Sequence, residues 1–175
     1  MTGKGHRITT FSIIFGTTGS ILAAGLSLFA STFPDSSEYL FFGKRRNRYH
    51  RRYTHWLLLW LFLSLVCFSR ADWIIPRISA LVDGVDAHRD IWSCVGFWFM
   101  GCALHVLEDA FCGKIPVIRP WKREFGLHIF HMSKKIGEMS AGEKTFTLCA
   151  ILISLAAWII RDIKIIGLVN FWRSL

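Results

Sequence analysis

Four stretches of this chain hold no Asp, Glu, Lys or Arg: residues 8–33, 56–69, 91–107 and 146–160. Charged or turn-forming residues bound each of them, so polar side chains are swept to the ends of apolar segments. Helices of a soluble domain carry charge on their outer face, and these runs have none to put there. The composition agrees, with 53% of residues apolar and 19% charged, against roughly 45–50% and 25% in soluble domains. At 175 residues the chain is a single domain, 1–175, and too short for a multi-domain enzyme. No period-two alternation competes with the apolar runs. The expected fold class is all-α: an integral membrane helical bundle.

Run lengths predict its details. About 20 apolar residues cross a bilayer. Residues 8–33 are long enough but are interrupted by Gly16-Thr17-Thr18-Gly19-Ser20, either a tolerated weak point or the turn of a helical hairpin. Residues 56–69 are intensely apolar yet short, which suits a buried or re-entrant helix as well as a span. Residues 70–90 are mixed and read as an interfacial connection. Residues of about 121–145 form a basic, amphipathic connection suited to a membrane surface. A C-terminal hydrophobic helix of about 146–172 follows.

Lys and Arg number 21 against 12 Asp and Glu, a net +9. Lys44, Arg45, Arg46, Arg48, Arg51 and Arg52 fall in one block. Beside an apolar run, such a block binds anionic headgroups and stays on the cytoplasmic side, so loop 44–52 is expected to face the cytoplasm in a multi-pass topology. No recognition-helix or RNP pattern accompanies it, and no nucleic-acid partner is expected. Five cysteines without a CxxC supply no disulfide framework and read as small buried hydrophobes. The N-terminus has a basic start and an apolar continuation but lacks a small-x-small cleavage site, and is read as retained.

Few residues here can carry chemistry. His105 and Asp109, spaced i, i+4 at the end of an apolar run, project from one helix face. That spacing can hold a zinc ion; it also describes a helix-end histidine paired with its own carboxylate. His50 and His55 flank a basic stretch, and Thr54 is positioned to cap the next helix. Asp35 follows Pro34, with Glu38 three residues on, a pattern that also marks a turn or cap. His6 stands alone near the N-terminus. Glu108, beside Asp109, reads as a solvated or headgroup-facing residue. Ionisable groups at the edges of membrane helices are costly and point to function. Together these residues favour one shared site.

The motifs occur in a telling order: Met1-Thr2…Gly5-His6, Pro34-Asp35, HRRYTH (His50 to His55) and GCALHVLEDAFCGKIPVIRP (Gly101 to Pro120). They resemble the YdjM-like family of bacterial inner-membrane proteins, grouped with metal-dependent hydrolases of the zinc phospholipase C and P1 nuclease superfamily. The family patterns read GH, PDxDH, HRGxTHS and GxxxHxxxDxxTxxGxPLLWP, and the matches lie within residues 1–120. The resemblance implies a divalent metal, zinc, held by His6, Asp35, His50, His55, His105 and Asp109. It also implies hydrolysis of an ester or phosphoester, with membrane lipid as the natural substrate, by metal-activated water. Asp35 or Glu38 would take the water's proton, and Arg51, Arg52, Arg119 and Lys122 would hold an anion or headgroup.

Departures from the pattern leave a rival open. PDxDH reads here Pro34-Asp35-Ser36-Ser37-Glu38, and HRG reads His50-Arg51-Arg52. A non-enzymatic membrane subunit with a degenerate site fits those losses. A transporter fits less well, because its ligands belong near the bilayer midplane. One geometric demand follows. A straight helix through residues 8–33 would hold His6 and Asp35 ~40 Å apart, so a shared metal requires the chain to turn back at Gly16–Gly19.

Overall fold

The Gly-Thr-Thr-Gly-Ser cluster stops one helix and starts the next. In the computed structural model, which describes residues 1–43, 51–71, 87–131 and 137–174, α1 covers Gly3–Thr18 and α2 covers Ile21–Ala30. Between them Gly19 is left-handed (φ 69°), and its N–H donates to the Phe15 carbonyl to close α1. Ser20 then caps α2, its Oγ accepting from Ala23 N at 3.1 Å. The two helices form the expected hairpin, which brings the chain back to the level of His6. α3, Phe33–Phe42, carries Pro34 and Asp35 in its first turn, where a missing N–H and a carboxylate both suit a helix N-terminus.

A 3₁₀ turn at Tyr53–His55 leads into α4, Leu57–Arg70. α5 covers Ala87–Ala110 and α6 covers Ala141–Ser174. Within these two, Ile91–Ala110 and Ala141–Arg161 are long and apolar enough to cross a membrane, while α4 is a shorter apolar helix. Only 17% of the α6 segment is buried inside the protein; Leu148, Leu152, Ile153 and Ile160 point outward. The core helix of a soluble protein would bury that surface. The bundle is an all-helical membrane protein.

Small residues let the helices approach. Gly16 of α1 lies against the Ser154 backbone of α6, Gly101 of α5 against the Ser27 backbone of α2, and Gly96 under the Phe68 ring of α4. Hydroxyls add bonds between helices: Ser27 Oγ donates to Phe97 O at 2.8 Å, and Ser64 Oγ to Gly96 O at 3.1 Å. Close backbone approach and such bonds hold helices together where lipid removes the hydrophobic drive. Trp60, Cys102, Ala103, Val106 and Ala110 form the core between α4 and α5. With these contacts, α1, α4 and α6 lead away from one end of the bundle, and α2 and α5 lead toward it.

Several boundaries differ from expectation. α6 begins at Ala141, ahead of the apolar run, because Ser140 caps it by accepting from Glu143 N at 3.2 Å. Residues 111–131 are irregular, with an isolated antiparallel bridge between Ile115 and Phe125; Ile115 is buried while Trp121, Leu127 and Ile129 are exposed. Of the cysteines, all free, Cys67 and Cys102 are buried, but Cys149 is exposed on the outward side of α6. Residues 44–50 of the basic loop, His50 among them, lie outside the described residues.

Candidate metal centre

Four elements converge on the end of the bundle where α5 finishes. α1 supplies His6, α3 supplies Asp35 and Glu38, the 3₁₀ turn supplies His55, and α5 supplies His105, Glu108 and Asp109. The three histidines are fully buried, and Asp109 is 2% exposed. Asp35 alone opens outward, its side chain 43% exposed. The hairpin is what allows this meeting: the His6 and His105 rings lie 3.9 Å apart, centroid to centroid, and Asp35 Oδ1 is 3.8 Å from His105 Nε2.

Donor atoms of Asp35, His55 and His105 form a compact set. His55 Nε2 is 3.2 Å from His105 Nε2, 3.3 Å from Asp35 Oδ1 and 3.6 Å from Asp109 Oδ2. Two ligands on a tetrahedral zinc, at ~2.0–2.2 Å from the ion, stand about 3.3–3.6 Å apart. The separations present therefore suit zinc. His6, His105 and Asp109 form a second cluster on the other side of His105, with His6 Nε2 at 3.3 Å from Asp109 Oδ1. Buried imidazole nitrogens normally find a hydrogen bond, yet His6 Nε2 and His105 Nδ1 have none. Donor type, spacing and these two nitrogens all fit a divalent cation.

Protein cations also enter the centre. Arg51 pairs with Asp109, an Nη donating to Oδ1 at 3.0 Å and Nε standing 2.8 Å from Oδ2 in the ion pair. The α-amino group of Met1 lies 2.5 Å from the same Oδ1. Arg51 holds a left-handed backbone (φ 54°), costly for a bulky residue, and Gly113 leaves room for its guanidinium. Behind His55, Glu38 Oε1 accepts from Arg51 N at 2.8 Å and Thr54 Oγ1 at 3.2 Å, and stands 3.1 Å from His55 Nδ1. Glu38 is 1% exposed and so sits behind a histidine, away from the open side.

These contacts set a pH dependence. Burial alone would lower the His55 pKa, but hydrogen bonds to Asp35 and Glu38 outweigh it and raise it to about 9. Burial likewise pushes Asp35 up, but His55 and His105 more than reverse this and hold it below the usual carboxylate range. Ligation through Nε2 requires His55 to lose its proton. If a metal binds through His55, its uptake below pH about 9 is expected to expel a proton, with apparent affinity rising as pH rises toward that value. Calorimetric titration in buffers of different ionisation enthalpy checks this; no buffer dependence at neutral pH would contradict it.

Of the residues expected from the sequence, His6, Asp35, His55, His105 and Asp109 meet at the centre, and Glu38 stands directly behind. Among the expected anion-binding residues, Arg51 reaches the centre. Arg119 and Lys122 are exposed on the segment after α5, Arg119 Nε 3.8 Å from Glu124, and Arg52 flanks the 3₁₀ turn. Ser37, in the place of the pattern's second Asp, donates its hydroxyl to the Pro34 carbonyl at 2.8 Å. The reading of Glu108 as solvated is corrected: it is 2% exposed, and its oxygens lie 2.6 Å from His6 Nδ1 and 2.9 Å from Thr10 Oγ1. Its spacing i+3 from His105 could have shown this, since i+3 shares a face with i. Glu143 was missed altogether. Fully buried at the start of α6, its Oε1 accepts from Thr2 N at 2.6 Å and Thr2 Oγ1 at 2.5 Å. A Cβ on Gly5 would collide with that carboxylate, which accounts for the glycine before His6.

No curated protein and no solved structure matches the chain. Over residues 1–167 it matches the family described as YdjM inner membrane protein. That span holds both candidate membrane segments and every residue of the centre, and the chain belongs to the YdjM inner membrane protein family.

Proposed function

We propose that this inner-membrane protein is a metal-dependent hydrolase acting on an ester or phosphoester, with a lipid as the substrate class. The observation that carries the reading is the pair of donor clusters that share His105, one of Asp35, His55 and His105 and one of His6, His105 and Asp109, each with its ligand atoms within 4.8 Å of one another. A bound zinc ion would supply Lewis acidity and a water of lowered pKa. Asp35, the open carboxylate, is the group placed to take that water's proton. Arg51 is placed to exchange Asp109 for an anionic oxygen, a fork that suits phosphate as well as carboxylate. On α3 beside Asp35, Phe33, Tyr39, Leu40 and Phe41 are exposed, which offers an apolar approach for an acyl chain. In sequence the basic block 44–52 comes just before His55, and the positive-inside rule supports reading this end of the bundle as cytoplasmic.

One observation favours the rival, a non-enzymatic subunit with a relic site binding lipid or protein. Both Asp109 oxygens already contact protein cations, Arg51 and the Met1 amine. The two readings separate in one experiment. Protein purified in detergent is assayed for bound metal and for hydrolysis of phospholipid vesicles and soluble phosphoesters. Zinc near one per chain, with turnover lost in His105→Ala, supports the hydrolase. Absence of metal after incubation with zinc supports the subunit.

A further inference from the structure

Behind His6 stands a carboxylate that the resemblance does not assign. Glu108 projects from α5 between two α1 residues one turn apart. His6 Nδ1 is 2.6 Å from its Oε2, and Thr10 Oγ1 donates to its Oε1 at 2.9 Å. Thr10 and His6 are fully buried and Glu108 is 2% exposed, so water does not compete for these bonds. A carboxylate only accepts, so the His6 ring donates from Nδ1 and its Nε2 is left to the centre. That Nε2 has no hydrogen bond and lies 3.3 Å from Asp109 Oδ1. Stacking against His105, at 3.9 Å between centroids and 34° between planes, fixes the tilt of the ring. Glu38 stands behind His55 in the same way, 3.1 Å from its Nδ1. Two of the three histidines thus present Nε2 inward and Nδ1 to a buried glutamate.

We infer that Glu108 is a positioning residue: it fixes the tautomer and direction of His6 and strengthens it as a metal ligand, acting through His6 alone. This rests on the metal reading above. Carboxylates behind metal-binding histidines contribute about 10–100-fold in affinity.

The test titrates zinc into the detergent-purified full chain against a chromophoric chelator, with size exclusion to verify folding. Glu108→Gln keeps the shape and removes the charge, and is expected to weaken zinc about 10–100-fold. In a His6→Ala background the same change is expected to alter affinity by less than about twofold, since the partner through which it acts is gone. A full-sized effect in that background would overturn the inference, as would unchanged affinity in Glu108→Gln. If Glu108→Gln does not fold, Thr10→Val leaves the carboxylate but frees one of its oxygens; a smaller loss in the same direction is expected, and none would overturn the inference. A wild-type chain that binds no zinc removes the metal reading itself. A wild type that binds zinc with equal affinity in Glu108→Gln removes this inference and leaves that reading standing.

Discussion

Asp109→Ala is expected to empty the centre of metal and to destabilise the protein, whereas His105→Ala empties it with a smaller loss of stability. Both side chains are buried, and both belong to the clusters that can hold an ion. They differ in what each leaves behind. Removing Asp109 takes a buried carboxylate away from the Arg51 guanidinium, whose side chain is 10% exposed, and from the Met1 amine beside it. Breaking a buried ion pair from one side costs about 3–5 kcal/mol. Removing His105 strands no charge, and its Nδ1 makes no hydrogen bond to lose. Elemental analysis and thermal melts of the two variants in one detergent check this. Equal melting temperatures would show that the Arg51 ion pair contributes nothing to the fold.

The second large effect is expected from Gly101→Val. A Cβ at Gly101 would stand 2.5 Å from Ser27 O and 2.7 Å from Ser27 Cα. These are backbone atoms of α2, and no rotamer change relieves the clash. Overpacking of this kind typically costs about 1–3 kcal/mol. The displacement carries further, because α2 runs almost directly into α3 and hence into Asp35. Zinc content should fall together with stability. Gly25, on the same helix, has nothing within 4 Å of its Cβ position, and Gly25→Ala should keep both. If Gly101→Val bound metal like the wild type, the contact of α2 with α5 would not be what sets Asp35.

Much of the fold was legible because lipid makes the rules simple. Apolar runs without charge can only be helices or barrel strands in a bilayer, and period-two alternation was absent. The hairpin was legible because Gly19 supplies the one left-handed residue needed to close α1, with Ser20 ready to cap α2. At the centre, His105 and Asp109 share a helix face and announce each other by spacing. His6 and Asp35 do not; only the ordered motifs tied them to the same place. Glu108 looked solvated because adjacent residues on a helix point apart, whereas its relation to His105, three residues back, was the informative one. Glu143 had no local signal at all. Its partner is Thr2, 141 positions away, and nothing short of the assembled bundle joins them. The stretch after α5 reads from the sequence as a basic, amphipathic connection; the burial of Ile115 and its bridge to Phe125 depend on packing and have no local signal.

The contact between Glu143 and Thr2 also sets an order of events during biogenesis. The ribosome delivers His6 well before α6, yet the turn that carries His6 is pinned by a carboxylate on α6. Until α6 has entered the bilayer, the amino-terminal turn lacks the carboxylate that binds Thr2 and is held by its contacts with Asp109 and Glu108 of α5. A chain without α6 thus leaves that turn, and His6 within it, with one restraint fewer. If the centre takes up an ion, a chain truncated before Ala141 should hold it more weakly than the chain that carries α6.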